Sequence, residues 1–275
     1  MDYVELNIPI ANSEIGEIMT AELAEYPFES FKEEGTQLKA YIPQERLADC
    51  KEQVDELLAS YSIVGARYIS IETQNWNAQW ESNFEQVEVG QEILIRAPFH
   101  TPDPRFRTEV VIMPKMSFGT GHHATTHLMS EMITKVDVAG KRGLDMGSGT
   151  GVLAIIAVKY GAKSVDAVDI DEWAYENCCE NIEQNGVSEA ITPMWGGASL
   201  IEGNSYDFIL ANINRNILLG DMASYVATLV EGGTMLMSGF FVEDIEPLRQ
   251  KAESLGLSYI GYSERDGWAV MQLKK

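Results

Sequence analysis

The segment that most limits the architecture open to this 275-residue chain is Leu144-Asp145-Met146-Gly147-Ser148-Gly149-Thr150-Gly151-Val152-Leu153-Ala154, read with Val168-Asp169-Ile170-Asp171 downstream. An apolar strand running into Asp145, glycines at alternate positions and an Ala/Ile/Val-rich helix behind them form the strand, turn and helix of a nucleotide-type cofactor pocket. Glycine there lets backbone approach a ligand closely. An acid about 20 residues later, at the carboxyl end of the next strand, is placed to accept ribose hydroxyls. Asp169 stands at that point, whereas Asp171 directly precedes a helical run, Glu172 to Asn185, and reads as its N-cap.

The glycine spacing narrows the ligand. A dinucleotide turn places glycine at its first, third and sixth positions, and counted from Gly147 the sixth is Val152. Gly147, Gly149 and Gly151 instead follow the order acid-x-Gly-x-Gly-x-Gly, which suits an adenosine without phosphates. S-adenosylmethionine is such a ligand, and an NAD oxidoreductase is correspondingly disfavoured.

Strand and helix patterns alternate beyond Gly143. Strands are expected at 143–146, 164–170, 190–194, 208–211 and 234–238, and helices at 151–160, 172–185, 217–229 and 242–254. Two closely spaced strands follow at 257–263 and 267–273. Alternation argues a parallel, doubly wound sheet, and the short Glu264-Arg265-Asp266 link argues an antiparallel pair at its end. The α/β expectation is therefore a Rossmann-like sheet with an antiparallel C-terminal hairpin, similar to the class I S-adenosylmethionine-dependent methyltransferases, over residues 91–275.

The first 72 residues read as a separate small α+β, ferredoxin-like domain in the order strand, helix, strand, strand, helix, strand. The strands are placed at 3–8, 30–34, 37–41 and 68–72, and the helices at 12–25 and 44–60. Residues 73–90 read as a linker, in which Trp76, Trp80 and Phe84 recur every four residues, the spacing of one helix face. Strands are also expected at 93–97 and 108–113.

The chain carries a net charge of -22, and residues 1–72 hold fifteen acids against five bases. Such a surface repels polyanions, so direct nucleic-acid binding is not expected, while a basic partner is favoured. No apolar run approaches the length of a membrane span and the N-terminus lacks the order of a signal peptide, so a cytoplasmic protein is expected. Three cysteines, two of them adjacent at 178 and 179, read as reduced packing residues.

In sheets of this kind ligands sit beyond the carboxyl ends of the strands, so the loops after Met146, Val168 and Ala211 converge. The third holds Asn212-Ile213-Asn214, with an Asn where many amino-group methyltransferases carry one, but without the Pro-Pro-aromatic that follows it there. Upstream, Phe118-Gly119-Thr120-Gly121-His122-His123-Ala124-Thr125-Thr126 combines permissive glycines with threonines that can cap a helix or donate to a ligand. His123 and His127 stand one helical turn apart, which suits two zinc ligands, but the zinc-protease Glu is missing and no third ligand is evident. No metal is assigned, and His123 is read as ordering the loop.

These residues resemble one family, the methyltransferases of large-subunit ribosomal protein L-eleven, known as PrmA. The resemblance covers nearly the whole chain: the acidic N-terminal domain, the Trp76/Trp80 linker, the 118–126 signature, the glycine loop, Asp169-Ile170-Asp171 and Ala211-Asn212-Ile213. The sequence departs at Ala124, where the family usually has Pro, and at Ser148, often Cys. By position, the resemblance implies that Thr126, Gly147, Gly149, Asp169 and Asn212 contact S-adenosylmethionine, with Phe118 to Gly121 lying over it. It further implies methylation of lysine side chains and of the N-terminal amine of that ribosomal protein, recognised through the N-terminal domain. No residue announces itself as a general base, and Asn212 is open to a second role as an acceptor for the target amine. The alternatives are a methyltransferase for another basic protein or small amine, and a non-catalytic cofactor-binding protein in ribosome assembly.

Overall fold

The computed structural model describes residues 3–71, 81, 83–115 and 117–275. The chain divides into two compact units, Met1–Asn83 and Phe84–Lys275.

In the first unit, β1 (Tyr3–Pro9), α1 (Ser13–Leu23), β2 (Ser30–Glu34), β3 (Gln37–Pro43), α2 (Gln44–Ser60) and β4 (Arg67–Ile71) build a four-stranded sheet in the order β2-β3-β1-β4. Every neighbouring pair of its strands is antiparallel. Period-two alternation decides the buried face: Val4, Leu6 and Ile8 join Leu38, Ala40 and Ile42 against Met19 and Leu23 of α1 and Val54 and Leu58 of α2. Asn12 caps α1, its side chain accepting the Ile15 N–H at 3.0 Å.

The second unit opens with a small sheet of β5 (Val87–Val89), β6 (Ile93–Arg96) and β7 (Thr108–Val111), β5 antiparallel and β7 parallel to β6. β5 falls within the stretch read from sequence as linker, because three residues are too few to display a period. The helix expected from Trp76 and Trp80 lies outside the described residues. Phe84, the last member of that spacing, packs edge-on against His122 with ring centroids 4.8 Å apart.

After α3 (Ala124–Ile133) come β8 (Arg142–Met146), α4 (Val152–Lys159), β9 (Ser164–Asp169), α5 (Glu172–Gln184) and β10 (Ile191–Trp195). They are followed by β11 (Tyr206–Asn212), α6 (Arg215–Thr228), β12 (Leu229–Phe241), α7 (Ile245–Ser254), β13 (Ser258–Arg265) and β14 (Trp268–Lys274). The sheet order is β10-β9-β8-β11-β12-β14-β13, parallel from β10 to β12 and antiparallel at β14 and β13. β12 is longer than the strand expected at 234–238: it starts at Leu229 opposite Tyr206, and the register shifts across the glycine pair 232–233 before Thr234 pairs with Phe208. The strand thus runs through Gly232 and Gly233, ahead of the start expected at Thr234.

Alternate strand residues feed two cores. Phe208 and Leu210 face α3, α4 and α5, while Ile209 and Ala211 face α6 and α7. α4 is apolar on all sides and accordingly buried, with residues 152–157 all inaccessible to solvent or nearly so. No helix among the described residues is long and apolar enough to cross a membrane.

Candidate active site

The strand order reverses direction between β8 and β11, and the register brings three loop positions to one level there. Met146 pairs with Val168 on one side and Ala211 on the other, so the next residue on each strand, Gly147, Asp169 and Asn212, stands at the sheet's carboxyl edge. This is the crevice in which open α/β sheets bind ligands. A cavity of about 590 Å³ opens at this point, and Gly147, Gly149, Asp169, Ile170, Asn212 and Ile213 are among its walls.

Two glycines are required by the site's tightness. Gly147 has φ +73° and a Cβ there would run into Cγ2 of Ile213 across the switch point; Gly149 has φ +54° and a Cβ would strike the carbonyl oxygen of Phe118. The carboxylate of Asp169 is held from both sides. Its Oδ2 accepts the Gly149 N–H at 2.8 Å and its Oδ1 accepts the Asp171 N–H at 3.0 Å, leaving one further lone pair on each oxygen for a diol. Asp171 caps α5 by accepting the Trp173 N–H at 2.9 Å.

Asn212 ends β11 with its Oδ1 buried and without a hydrogen-bond partner among the described residues. The hydroxyl of Thr126, in the first turn of α3, is likewise buried and unpartnered. Such groups cost about 1–3 kcal/mol when nothing satisfies them, and of the two residues Asn212 is the one that walls the cavity. Of the five sequence-assigned residues, Gly147, Gly149, Asp169 and Asn212 line the cavity, whereas Thr126 is not among its walls. Of the two roles open to Thr125 and Thr126, capping the helix or donating to a ligand, the cap falls to His123, whose Nδ1 accepts the Thr125 N–H at 3.3 Å.

Thr150 and Asn181 are structural partners that motif reasoning passed over. The Thr150 N–H donates to Phe118 O at 2.9 Å and its hydroxyl to Gly119 O at 2.7 Å, fastening the 118–119 segment to the glycine loop. Asn181, buried on α5, donates to Thr150 O at 2.9 Å and accepts the Met113 N–H at 2.8 Å. A buried Asn on a helix facing a glycine loop is the signal that would have revealed it. Phe118 lines the cavity and is half exposed, and Asp221 of α6 adds a carboxylate to the wall that no motif indicated.

Behind the loop lies Asp145. It is wholly buried, one oxygen accepting the Ala154 N–H at 3.0 Å and the other unpartnered. Burial pushes its carboxyl up to about 7, with the Ala154 N–H opposing the rise and the charge of Asp169 adding to it. Burial and the neighbouring Asp145 also push the thiol of Cys178 up to about 12, so this cysteine packs as an inert group. All three cysteines are free.

The histidines are engaged elsewhere than on a metal. His123 hydrogen-bonds Thr125 Oγ1 at 2.8 Å and packs on Trp268, while His127 Nε2 faces the guanidinium of Arg265 at 2.7 Å. Burial first and Arg265 second hold His127 below the usual imidazole range. Among the described residues no group of three or more His, Cys, Asp or Glu side chains is arranged to hold a metal.

A second cavity, of about 400 Å³, begins at the next residue along, with Asn214, Phe241, Asp244 and Trp268 in its walls. The rings of Phe241 and Trp268 lie with centroids 4.1 Å apart, tilted by 32°.

Comparison with known proteins agrees with this architecture. The family model described as ribosomal protein L11 methyltransferase (PrmA) matches residues 8–275. The ribosomal protein L11 methyltransferase of Porphyromonas gingivalis is 44% identical over 261 residues, covering 93% of this chain and 89% of that protein. The Phocaeicola vulgatus protein of the same description is 39% identical, with 99% of both chains covered. Among solved structures, the ribosomal protein L11 methylase of Lactobacillus delbrueckii subsp. bulgaricus superposes with a TM-score of 0.63 at 25% identity, covering 69% of this chain and 98% of that one. With a switch-point cavity, a glycine loop and an acid at the end of the second strand, and a family match along almost its full length, the chain belongs to the ribosomal protein L11 methyltransferase family.

Proposed function

We propose that this protein transfers methyl groups from S-adenosylmethionine to amines of ribosomal protein L11, at lysine side chains and the N-terminal amino group, in the cytoplasm. The observation that carries the reading is the alignment of Gly147, Asp169 and Asn212 at one level of three adjacent strands, on a cavity of about 590 Å³, in a chain of this family.

Asp169 holds the ribose through the two lone pairs its backbone contacts leave free, and the close packing that Gly147 allows against Ile213 and Gly149 against Phe118 shapes the loop beside it. Asn212 and Thr126 offer the cofactor their unpartnered polar atoms, and Phe118 to Gly121 lie over it. When bound, the cofactor supplies an electrophilic methyl group on a sulfonium sulfur. The chain's own task is to align an amine with that carbon and to keep the amine neutral. A lysine with a pKa of about 10.4 in water is almost wholly protonated, and a dry pocket lowers that value. Rate then comes from alignment and exclusion of water, without a dedicated base.

The acidic first unit serves as the docking surface for the basic substrate, and the acidity of the whole chain disfavours direct nucleic-acid binding. The test is mass spectrometry of purified L11 after incubation with the full-length protein and labelled cofactor. Whole-methyl increments on lysines and the N-terminus are expected. Absence of any label on L11, with label appearing on another basic protein, would favour the alternative substrate.

A further inference from the structure

The loop that carries Phe118 has no regular structure, and its two glycines, with φ +109° at Gly119 and +96° at Gly121, turn the chain on either side of Thr120. Its position over the cavity therefore depends on side-chain ties. One tie is Thr150, described above. The other is His122, whose Nε2 lies 2.9 Å from Glu85 O and whose Nδ1 lies 3.1 Å from Thr120 Oγ1. A carbonyl only accepts, so Nε2 carries the proton and donates to Glu85 O, and Nδ1 accepts from the Thr120 hydroxyl. The His122 ring also meets the Phe84 ring edge-on at 4.8 Å.

The far end of this strut is itself anchored. His100 Nε2 lies 2.6 Å from Phe84 O while its Nδ1 accepts the Ala97 N–H at 3.2 Å, and the chain then enters β5 two residues after Glu85. Phe84 and Glu85 thus form a fixed post on the small sheet. His122 bridges that post to the loop between its two glycines, and from the loop the hydrogen bonds continue through Thr150 into the glycine loop that Asp169 grips.

We propose that His122 is a positioning residue: a strut that holds Phe118–Gly121 over the cofactor mouth by fixing Thr120 to the Phe84–Glu85 post. It rests on the reading above that the cofactor binds beneath Phe118. Because His122 is not among the residues that wall the cavity, its loss should loosen cofactor retention while leaving the alignment of the reacting atoms intact.

The test is isothermal calorimetry on the full-length protein with S-adenosylhomocysteine, paired with donor-dependent kinetics. Loss of two ordinary hydrogen bonds corresponds to about a tenfold effect. His122→Phe keeps a ring against Phe84 but neither hydrogen bond, so its Kd should rise about tenfold and its KM for the methyl donor should rise in parallel, with kcat at saturating donor unchanged. His122→Gln retains an N–H donor at the end of the side chain and should restore most of the affinity. A His122→Phe variant with wild-type Kd, or a Gln variant as weak as Phe, overturns the strut. Asp169→Ala serves as the control: unchanged affinity there would mean that the cofactor site itself is misassigned, whereas a weakened Asp169→Ala beside an unaffected His122→Phe condemns the strut alone.

Discussion

Asp169→Asn should impair cofactor binding nearly as severely as Asp169→Ala, although it is the most conservative change at that position. The reason is the double anchoring of the carboxylate: Oδ2 faces the Gly149 N–H at 2.8 Å and Oδ1 faces the Asp171 N–H at 3.0 Å. An amide has only one oxygen, so in either flip its NH2 group confronts a backbone donor. One N–H goes unsatisfied, at about 1–3 kcal/mol, and one charge-assisted acceptor for the ribose is lost, at about 1.5–3 kcal/mol. The first cost falls on the fold with or without cofactor, and the second is the loss in affinity, roughly one to two powers of ten. Calorimetry with S-adenosylhomocysteine measures it directly, and a 2′-deoxy analogue separates the two contributions. The wild type should bind the deoxy analogue more weakly than the parent compound, whereas Asp169→Ala should not distinguish them. An Asn variant within threefold of wild type, or an Ala variant that still discriminates against the deoxy analogue, refutes the reasoning.

Two further outcomes follow from the same structure. Asp145 is a buried acid whose pKa in the fold is raised, so the folded state binds its proton more tightly than the unfolded chain does, and that advantage disappears as pH climbs through about 7. Asp145→Asn, which keeps an acceptor for Ala154, should therefore gain on the wild type by about 2 kcal/mol between pH 5 and pH 8 in chemical denaturation; parallel stability curves would show that the group is not titrating there. Association of L11 with the acidic first unit should weaken as salt is raised from about 0.01 M to about 0.1 M, which shortens the Debye length from about 30 Å to about 10 Å. KM for L11 should rise over that range with little change in kcat, and a flat KM would remove charge from the recognition mechanism.

Much of the fold was legible because its signals are local. The alternation of apolar strands with helical runs predicts the doubly wound sheet. Pro43 placed just ahead of the expected 44–60 helix and Asp171 ahead of Glu172 mark helix starts that the structure shows at those residues. Elements whose existence depends on partners were harder to see. β5 is three residues long and is a strand only because β6 lies beside it, and the first third of β12 crosses a glycine pair that would end a strand considered alone. On α3 the cap is His123, which accepts the N–H of Thr125, so neither threonine fills that place.

For the site, the sequence by itself singled out residues that line the cavity: glycines in a tight loop, an acid one strand away, and an asparagine at the end of a third strand. Those choices are written in residue type and spacing, because positive φ and a charged acceptor are properties of single residues. Only the tertiary structure decided that Gly147, Asp169 and Asn212 share one level, since that depends on the register of β8 with β9 and β11, whose paired residues stand up to 65 positions apart along the chain. It also decided which side chains hold the site in shape. Thr150 and His122 stand within motifs and Asn181 outside them, but each matters through a carbonyl or an N–H on a distant segment, and such pairings exist only once the chain has folded.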